Sequence, residues 1–410
     1  LPSEPSTTPG RTAWTLLLAL TAAFALSQAF RTMAAIMAPP LQRELGLSPQ
    51  QLGIFAGTFH FAFASLQLFM GMGIDVWGPR RTVLAVFPLA TIGSLLAATA
   101  QGWGQLLLGQ AVIGVGCAPA FLVCTVHIAR RFGPERFASV SGLTLGLGSV
   151  GLLLTGTPLA WVIEQWSWRA GFLLLAALSA AAWLAILLVR DRDAPPSAGE
   201  RPTMVQALRG YGELFRLRHT WGIVVLALVS YGSFLTLRGL WLGPLLVERH
   251  GFTLVATGHV ALLVSVVGMF GPPLFGRLDP GDRYRRRLIA ASHLSVAAMY
   301  LVMAFSRSAV LDVALSTAAS LVAGCIVLQY ADVRAAYPAA MTGRAMAVYT
   351  MATFLGVGWV QWFTGAVAQA APALGAERYS LVLATLGAVL AAGVAGFRFL
   401  PRPGAGATTS

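Results

Sequence analysis

Two arginines stand where a lipid bilayer makes charge expensive. Arg31 lies deep in the apolar run ALSQAFRTMAAIM, and Arg238 lies at similar depth in YGSFLTLRGLWLG. A charged side chain at mid-bilayer costs about 2.5–3.5 kcal/mol on insertion scales, so each needs a compensating partner or a purpose. Pairing with an internal acid would supply one, and snorkelling to the interface another. Acids are scarce, however. Asp332 is the only one deep within an apolar run, and Glu164 lies at the end of another. Two guanidinium groups against one carboxylate leave a net positive interior. An anionic solute would neutralise it, because the planar guanidinium fork binds a carboxylate or phosphate bidentately.

Other side chains fit around this pair. His60, in GTFHFAFASLQ, is a titratable group at mid-run depth. Imidazole changes charge near neutral pH, so His60 is a candidate for coupling to protons; the plainer reading is a core histidine bonded to a neighbour. His127 and Asp332 hold matched positions before two similar loops and read as a gate pair or as local caps. Arg334, two residues beyond Asp332, points elsewhere on a helix and reads as a gate or interfacial residue. Tyr231, Trp241, Tyr349 and Trp359 are expected to shape a cavity. Cys117, Cys124 and His127, spaced by seven and three, describe with Met33 and Met37 a soft-metal path as an alternative. Small, soft residues are also ordinary in membrane helices, and no metal or other cofactor is assigned. Gly146-Leu-Gly148-Ser-Val-Gly151 lacks the preceding strand of a nucleotide fingerprint and reads as helix packing. No Walker motif or catalytic triad is apparent, and the chain does not read as an enzyme.

The elements that position these residues follow from composition. Of 410 residues, 57% are hydrophobic and 10% charged, against about 25% charged in soluble domains. The solvent for most of the chain is therefore lipid, and only helices or closed barrels cross it. Spans of roughly 20 apolar residues are expected near 13–38, 50–72, 83–101, 105–129, 137–161, 168–189, 220–246, 253–276, 288–305, 311–333, 345–369 and 378–399. They form an all-α membrane protein of twelve transmembrane helices in two pseudo-symmetric six-helix bundles, 13–189 and 219–400. A polar linker, 190–218, divides them; the ends, 1–12 and 401–410, read as disordered. All 28 basic residues are arginine and the net charge is +13. Nucleic acid is not the expected partner, because these charges sit in loops between spans. Twenty arginines fall in one set of alternating loops and ends and five in the other. By the positive-inside rule both termini and the linker are cytoplasmic, in an inner membrane. A monomer is expected.

The halves echo one another. Span one ends APPLQRELGLSP and span seven ends GPLLVERHGFT, while RRFGPERFASVSG after span four resembles AAYPAAMTGRAMAV after span ten. Such repeats place a site near the midplane between the halves. Between spans two and three the chain reads Gly71-Met-Gly-Ile-Asp75-Val-Trp-Gly78-Pro-Arg80-Arg81. This resembles the cytoplasmic-loop signature of the major facilitator superfamily, with Val76 where the family usually has arginine. Gly276-Arg277-Leu-Asp279 through Arg287 is a degenerate second copy, and Trp168-Arg169-Ala-Gly-Phe172 is similar to the family's entry into its sixth helix. Gly71 would permit close helix approach, Asp75 would cap or pair at a helix end, and Gly78 would make the turn. The resemblance implies a cavity lined by spans one, four, seven and ten, with Arg31 and Arg238 facing it from opposite halves. The reading is an alternating-access carrier for a small organic anion, a carboxylate, in symport with protons. An inorganic-anion (nitrate-like) carrier, a copper importer and a non-transporting sensor on a carrier fold are the alternatives.

Overall fold

The computed structural model describes residues 10–132, 134–189 and 212–400. The expected disorder of 1–9 and 401–410, and most of the linker (190–211), lie outside the described residues. The described helices group into twelve long runs, beside a short helix at 212–216 and a 3-10 turn at Ala371–Leu374. In the first half, α1 joins Arg11–Thr32 to Ala34–Leu45, α2 joins Pro49–Ser65 to Gln67–Trp77, and α3 joins Pro79–Val86 to Pro88–Ala98. α4 joins Trp103–Cys117 to Ala120–Arg131, α5 runs from Pro134–Gly148 through Val150–Leu154 to Thr157–Gln165, and α6 is Trp168–Leu188. In the second half, α7 runs from Arg218–Thr236 through Leu245–Arg249, α8 joins Leu254–Gly268 to Gly271–Arg277, and α9 is Asp282–Phe305. α10 joins Ala309–Ala323 to Ile326–Ala336, α11 is Ala339–Ala370 and α12 is Arg378–Phe399. Ten of the twelve are long and apolar enough to cross a membrane on those grounds alone; α2, interrupted at Leu66, and α11 are the two outside that set. Large apolar side chains such as Leu108, Trp161, Phe270 and Phe305 lie on the outer surface, as expected where the solvent is lipid.

Several boundaries differ from expectation, each for a local reason. Helix begins at Arg11, so residues 11–12 are helical and not disordered. α3 starts at Pro79, since proline is pre-shaped for a first helical turn. α9 starts at Asp282 and takes Arg283 and Arg285–Arg287 into helix. α1 does not stop at Ala38 but continues through Pro39 and Pro40 to Leu45. Proline lacks the N–H that would bond the carbonyl four residues back, so Pro39 leaves the Ala35 carbonyl without its ladder donor.

The internal repeat is visible in the backbone. Gly46 after α1 and Gly251 after α7 both adopt positive φ, 62° and 70°, a conformation that glycine enters without a Cβ penalty. Ser48 and Thr253 then cap α2 and α8 through their side-chain oxygens. Gly78 and Gly281 repeat the pattern between α2 and α3 and between α8 and α9, at φ 85° and 76°.

Within each half the helices pack as a bundle. Between halves, α2 lies along α11, the last third of α5 along the first part of α8, and the end of α1 along the end of α7. These contacts gather at the end away from the arginine-rich loops. They are backbone-close: a Cβ added at Gly53 would lie 2.5 Å from the Gln361 carbonyl oxygen, at Gly57 2.8 Å from that of Gly358, and at Gly156 3.0 Å from that of Gly258. A Cβ at Gly243 would overlap the Ala35 oxygen outright, the carbonyl that Pro39 leaves undonated. Glu164 adds a polar tie by accepting from the Val255 N–H at 3.0 Å.

Candidate functional site

The opposing faces of the halves enclose a cavity of about 430 Å³. Its walls come from α1, α5, α7, α8 and α10, and its lining runs from mid-depth toward the arginine-rich end. The carbon-rich wall includes Leu145, Leu152, Phe234, Leu235, Val264 and Met269. α4, expected to line it, supplies none of its lining.

Arg238 forms the charged part of the wall. It lies in a π-helical turn, Leu237–Trp241, where the i→i+5 ladder re-aims side chains relative to an α-helix. The residue is 3% exposed. Its Nε and Nη2 donate to the Ser265 hydroxyl at 3.1 and 3.0 Å, and Nη2 also reaches the Leu152 carbonyl in the other half at 3.3 Å. Its Nη1 is buried and has no partner.

Arg31 stands one layer behind. It is buried, donating from Nη1 to Gln28 Oε1 at 2.6 Å and from Nη2 to Ser27 Oγ at 3.4 Å. Its guanidinium carbon sits 4.6 Å from the Phe63 ring centre and 4.7 Å from that of Phe354, a cation–π clamp between α2 and α11. The Tyr231 hydroxyl faces it. Gln28 and Tyr231, not Arg31, reach the cavity wall. Among the described residues neither arginine makes an ion pair.

His60 is buried, with Nδ1 3.2 Å from the Ala56 carbonyl and Nε2 without a geometrically formed bond. It faces Gln361 of α11 and feels the charge of Arg31. The structure does not bring His127 and Asp332 together as a gate. His127 Nε2 bonds the Ala13 carbonyl at 3.0 Å, whereas Asp332 accepts three bonds of 3.0–3.2 Å from Arg286. Arg334 is exposed, in keeping with an interfacial position.

Of the four aromatics expected to shape the cavity, only Tyr231 lines it. Trp241 is turned into the second bundle, donating to Thr364 Oγ1 at 2.9 Å, and the Tyr349 hydroxyl donates to Gln329 Oε1 at 3.2 Å. Trp359 stacks on Phe363 one helical turn away, on an outer face, 39% exposed. The soft-metal residues are dispersed: Cys117 faces Ser27, and Cys124 faces Thr21 and bonds the Ala120 carbonyl. Met33 and Met37 are fully buried in the core. Among the described residues no three His, Cys, Asp or Glu side chains gather as a metal site.

The loop motif is partly as expected. Gly78 makes the turn, and Arg80 donates to the Ile186 and Leu187 carbonyls at the end of α6 at 3.3 and 2.9 Å. Gly71 is not a close-approach site, since a Cβ there would meet nothing within 4 Å. The Asp75 side chain lies outside the described residues, and Arg81 is engaged. In the second copy Arg285 grips Asp279 and holds its carboxyl below the ordinary range, against the opposing effect of burial. At the sealed end, Glu44 accepts from Arg169 and, at 2.6 Å, from the Trp168 indole N–H. These two hydrogen bonds lower its carboxyl pKa.

Two polar centres escaped the sequence reading. Asp312 is a second buried acid, 1% exposed, with Arg249 at 3.4 Å and His250 at 2.8 Å. His293 of α9 is bonded to the Ile289 carbonyl at 2.7 Å and to Gln329 Nε2 at 3.0 Å; Gln329 Oε1 accepts from Ser230 and Tyr349. The visible signals were an Arg-His pair ahead of a lone aspartate and a histidine inside an apolar run.

Comparison with known proteins agrees with this architecture. Residues 20–360 match the profile of the Major Facilitator Superfamily. The hexuronate transporter of Escherichia coli (strain K12) is 25% identical over 289 residues, 64% of this chain and 66% of that protein. A probable sulfoacetate transporter of Cupriavidus necator is 24% identical over 63% of this chain and 62% of its own length. Both matches span less than two thirds of the relative. The galacturonate transporter of Dickeya chrysanthemi is 23% identical over 71% of this chain and 88% of its own. Among solved structures, the nucleoside transporter NupG superimposes with a TM-score of 0.77 at 14% identity, covering 95% of this chain and 98% of that one. The family match over most of the chain, the paired bundles and the cavity between them make this multi-pass membrane protein a member of the major facilitator superfamily of transporters.

Proposed function

We propose that the chain is a secondary carrier that moves a small organic anion, recognised through a carboxylate, by alternating access and in symport with protons. One observation carries the reading: Arg238 is a buried cation on the cavity wall with a free guanidinium N–H and no carboxylate partner among the described residues. A buried, uncompensated guanidinium is unfavourable unless a ligand or water supplies the missing acceptor. Arg31 sets the field behind it through Gln28 and Tyr231. The hexuronate, galacturonate and sulfoacetate of the relatives' names are organic anions, which supports the same class.

The arginine-rich end is taken as cytoplasmic by the positive-inside rule, in an inner membrane. The cavity then opens inward while the glycine contacts seal the outer side. His60 is the coupling group, a mid-depth imidazole beside Arg31 and against the α2–α11 seal. Binding of an acid and of its uncharged amide to purified protein tests the reading. The acid should bind at least tenfold tighter, Arg238→Ala should remove the difference, and Arg238→Lys should restore part of it. Equal binding of acid and amide to the wild type would refute it.

A further inference from the structure

We infer that the anion this cavity takes is a monocarboxylate with an apolar body, an aryl- or alkyl-carboxylate, and not a polyhydroxylated sugar acid. The inference rests on the reading of Arg238 as the carboxylate site and concerns the rest of the molecule bound there.

Hydrogen-bond donors are few in this cavity. A sugar acid carries a hydroxyl on nearly every carbon, and each needs a partner when it leaves water. The protons of the cavity's own hydroxyls are committed, so these groups have none to donate to a ligand. Ser149 donates to the Leu145 carbonyl at 2.9 Å, Ser265 to that of Ala261 at 2.9 Å, and Ser320 has its one proton between the Val264 and Thr317 carbonyls, 2.8 and 2.7 Å away. Thr32 is tied to Thr155 at 2.7 Å. Ser265 also accepts two bonds from Arg238, which fills its oxygen. Apart from the lone pairs of the Ser149 and Ser320 oxygens, what remains is Nη1 of Arg238, the Gln28 amide N–H and the O–H of Tyr231, whose oxygen faces Arg31, all near mid-depth. The remaining wall, toward the arginine-rich end, is carbon: Leu145, Leu152, Phe234, Val264, Met269 and Ile326. A ligand that places one carboxylate on Arg238 and a hydrocarbon body against this wall satisfies both regions. The volume of about 430 Å³ accommodates a ring or a short chain.

Binding of four probes to the purified full chain tests this: 3-phenylpropanoate, hexanoate, glucuronate and 3-phenylpropanamide. Phenylpropanoate and hexanoate should each bind at least tenfold tighter than glucuronate. Their binding should carry a negative heat-capacity change, the mark of apolar burial. Leu235→Asn, which adds free hydrogen-bonding groups to the wall, should narrow the preference toward glucuronate. Glucuronate binding as tightly as phenylpropanoate, or no binding of either apolar acid, overturns the inference. The amide separates the two readings. If phenylpropanamide matches phenylpropanoate and both exceed glucuronate, the carboxylate reading of Arg238 falls while the apolar body stands. If glucuronate wins and the amide fails, the carboxylate reading stands and the apolar body falls.

Discussion

Gly243→Ala should push the protein out of the state described here. The α-carbon of Gly243 backs onto the Ala35 carbonyl across the two halves, and an added methyl would occupy the space of that oxygen. Neither atom can yield by changing a rotamer, because both belong to main chain. Overpacking a tight contact costs about 1–3 kcal/mol, which here is a lower bound. The contact exists only while the ends of α1 and α7 are together, so the penalty falls on the state with this end sealed. A differential penalty of that size changes a two-state ratio by about 5–150-fold, enough to reverse a gap of a few kcal/mol. Spin labels on cysteines at Trp166 and Leu374, both exposed near the sealed end of opposite halves, should report a longer distance in the variant. The three native cysteines are buried. Gly356→Ala is the control: its methyl would strike the Leu228 carbonyl inside the second bundle, so it should lower thermal stability without widening that distance. An unchanged distance distribution in Gly243→Ala, with wild-type uptake, would sink the claim that this contact holds the sealed end shut.

His60→Ala should flatten the dependence of uptake on an inward proton gradient; an unchanged pH profile would clear His60, and His293→Asn would be next to test. Asp332→Asn should cost about 1–3 kcal/mol in thermal unfolding, because it removes the charge and one of the two acceptor oxygens that hold the partly buried Arg286, while leaving the proton dependence of uptake intact; a shifted pH profile would restore Asp332 to the coupling machinery. Glu44 has a folded-state pKa below its ordinary value of 4.5. Its contribution is therefore complete above that value and disappears as acid carries the pH down through the lowered one. As the pair is substantially exposed, Glu44→Gln should cost only about 0.2–1 kcal/mol at neutral pH and nothing in strong acid; an equal loss at both would refute the ion-pair account.

Much of the fold was legible because its signals are local. Apolar run length gave the spans, and QRELG and VERHG predicted matched turns that Gly46 and Gly251 make. Which side of each helix looks inward was far less legible. A helix in water shows its buried face by contrast with a polar one; a helix in lipid is apolar on both. Trp359 and Tyr231 are alike in type and depth, yet one faces outward and the other the cavity. Arg31 is buried, but its place behind Gln28 depends on the Phe63–Phe354 clamp, which requires α2 and α11 to meet. The aim of Arg238 depends on a π-helical turn that no periodicity announces. Asp312 was overlooked because its partners precede it by two whole spans.

The interruptions near mid-depth bear on how such a molecule avoids leaking. α1 breaks at Met33, α2 at Leu66 and α4 at Ala118–Pro119; their counterparts are interrupted at Leu237–Trp241 in α7, Met269–Phe270 in α8 and Gly324–Cys325 in α10. A bundle of unbroken rods would open one end in the same stroke that shuts the other, passing through a moment when both are ajar. Segmented rods bend at the joint, so the ends at the arginine-rich side can swing shut while the glycine seam still holds. Under the alternating access proposed above, the cycle would then pass through an occluded intermediate, dividing its barrier into two smaller ones, each crossed by half-helices.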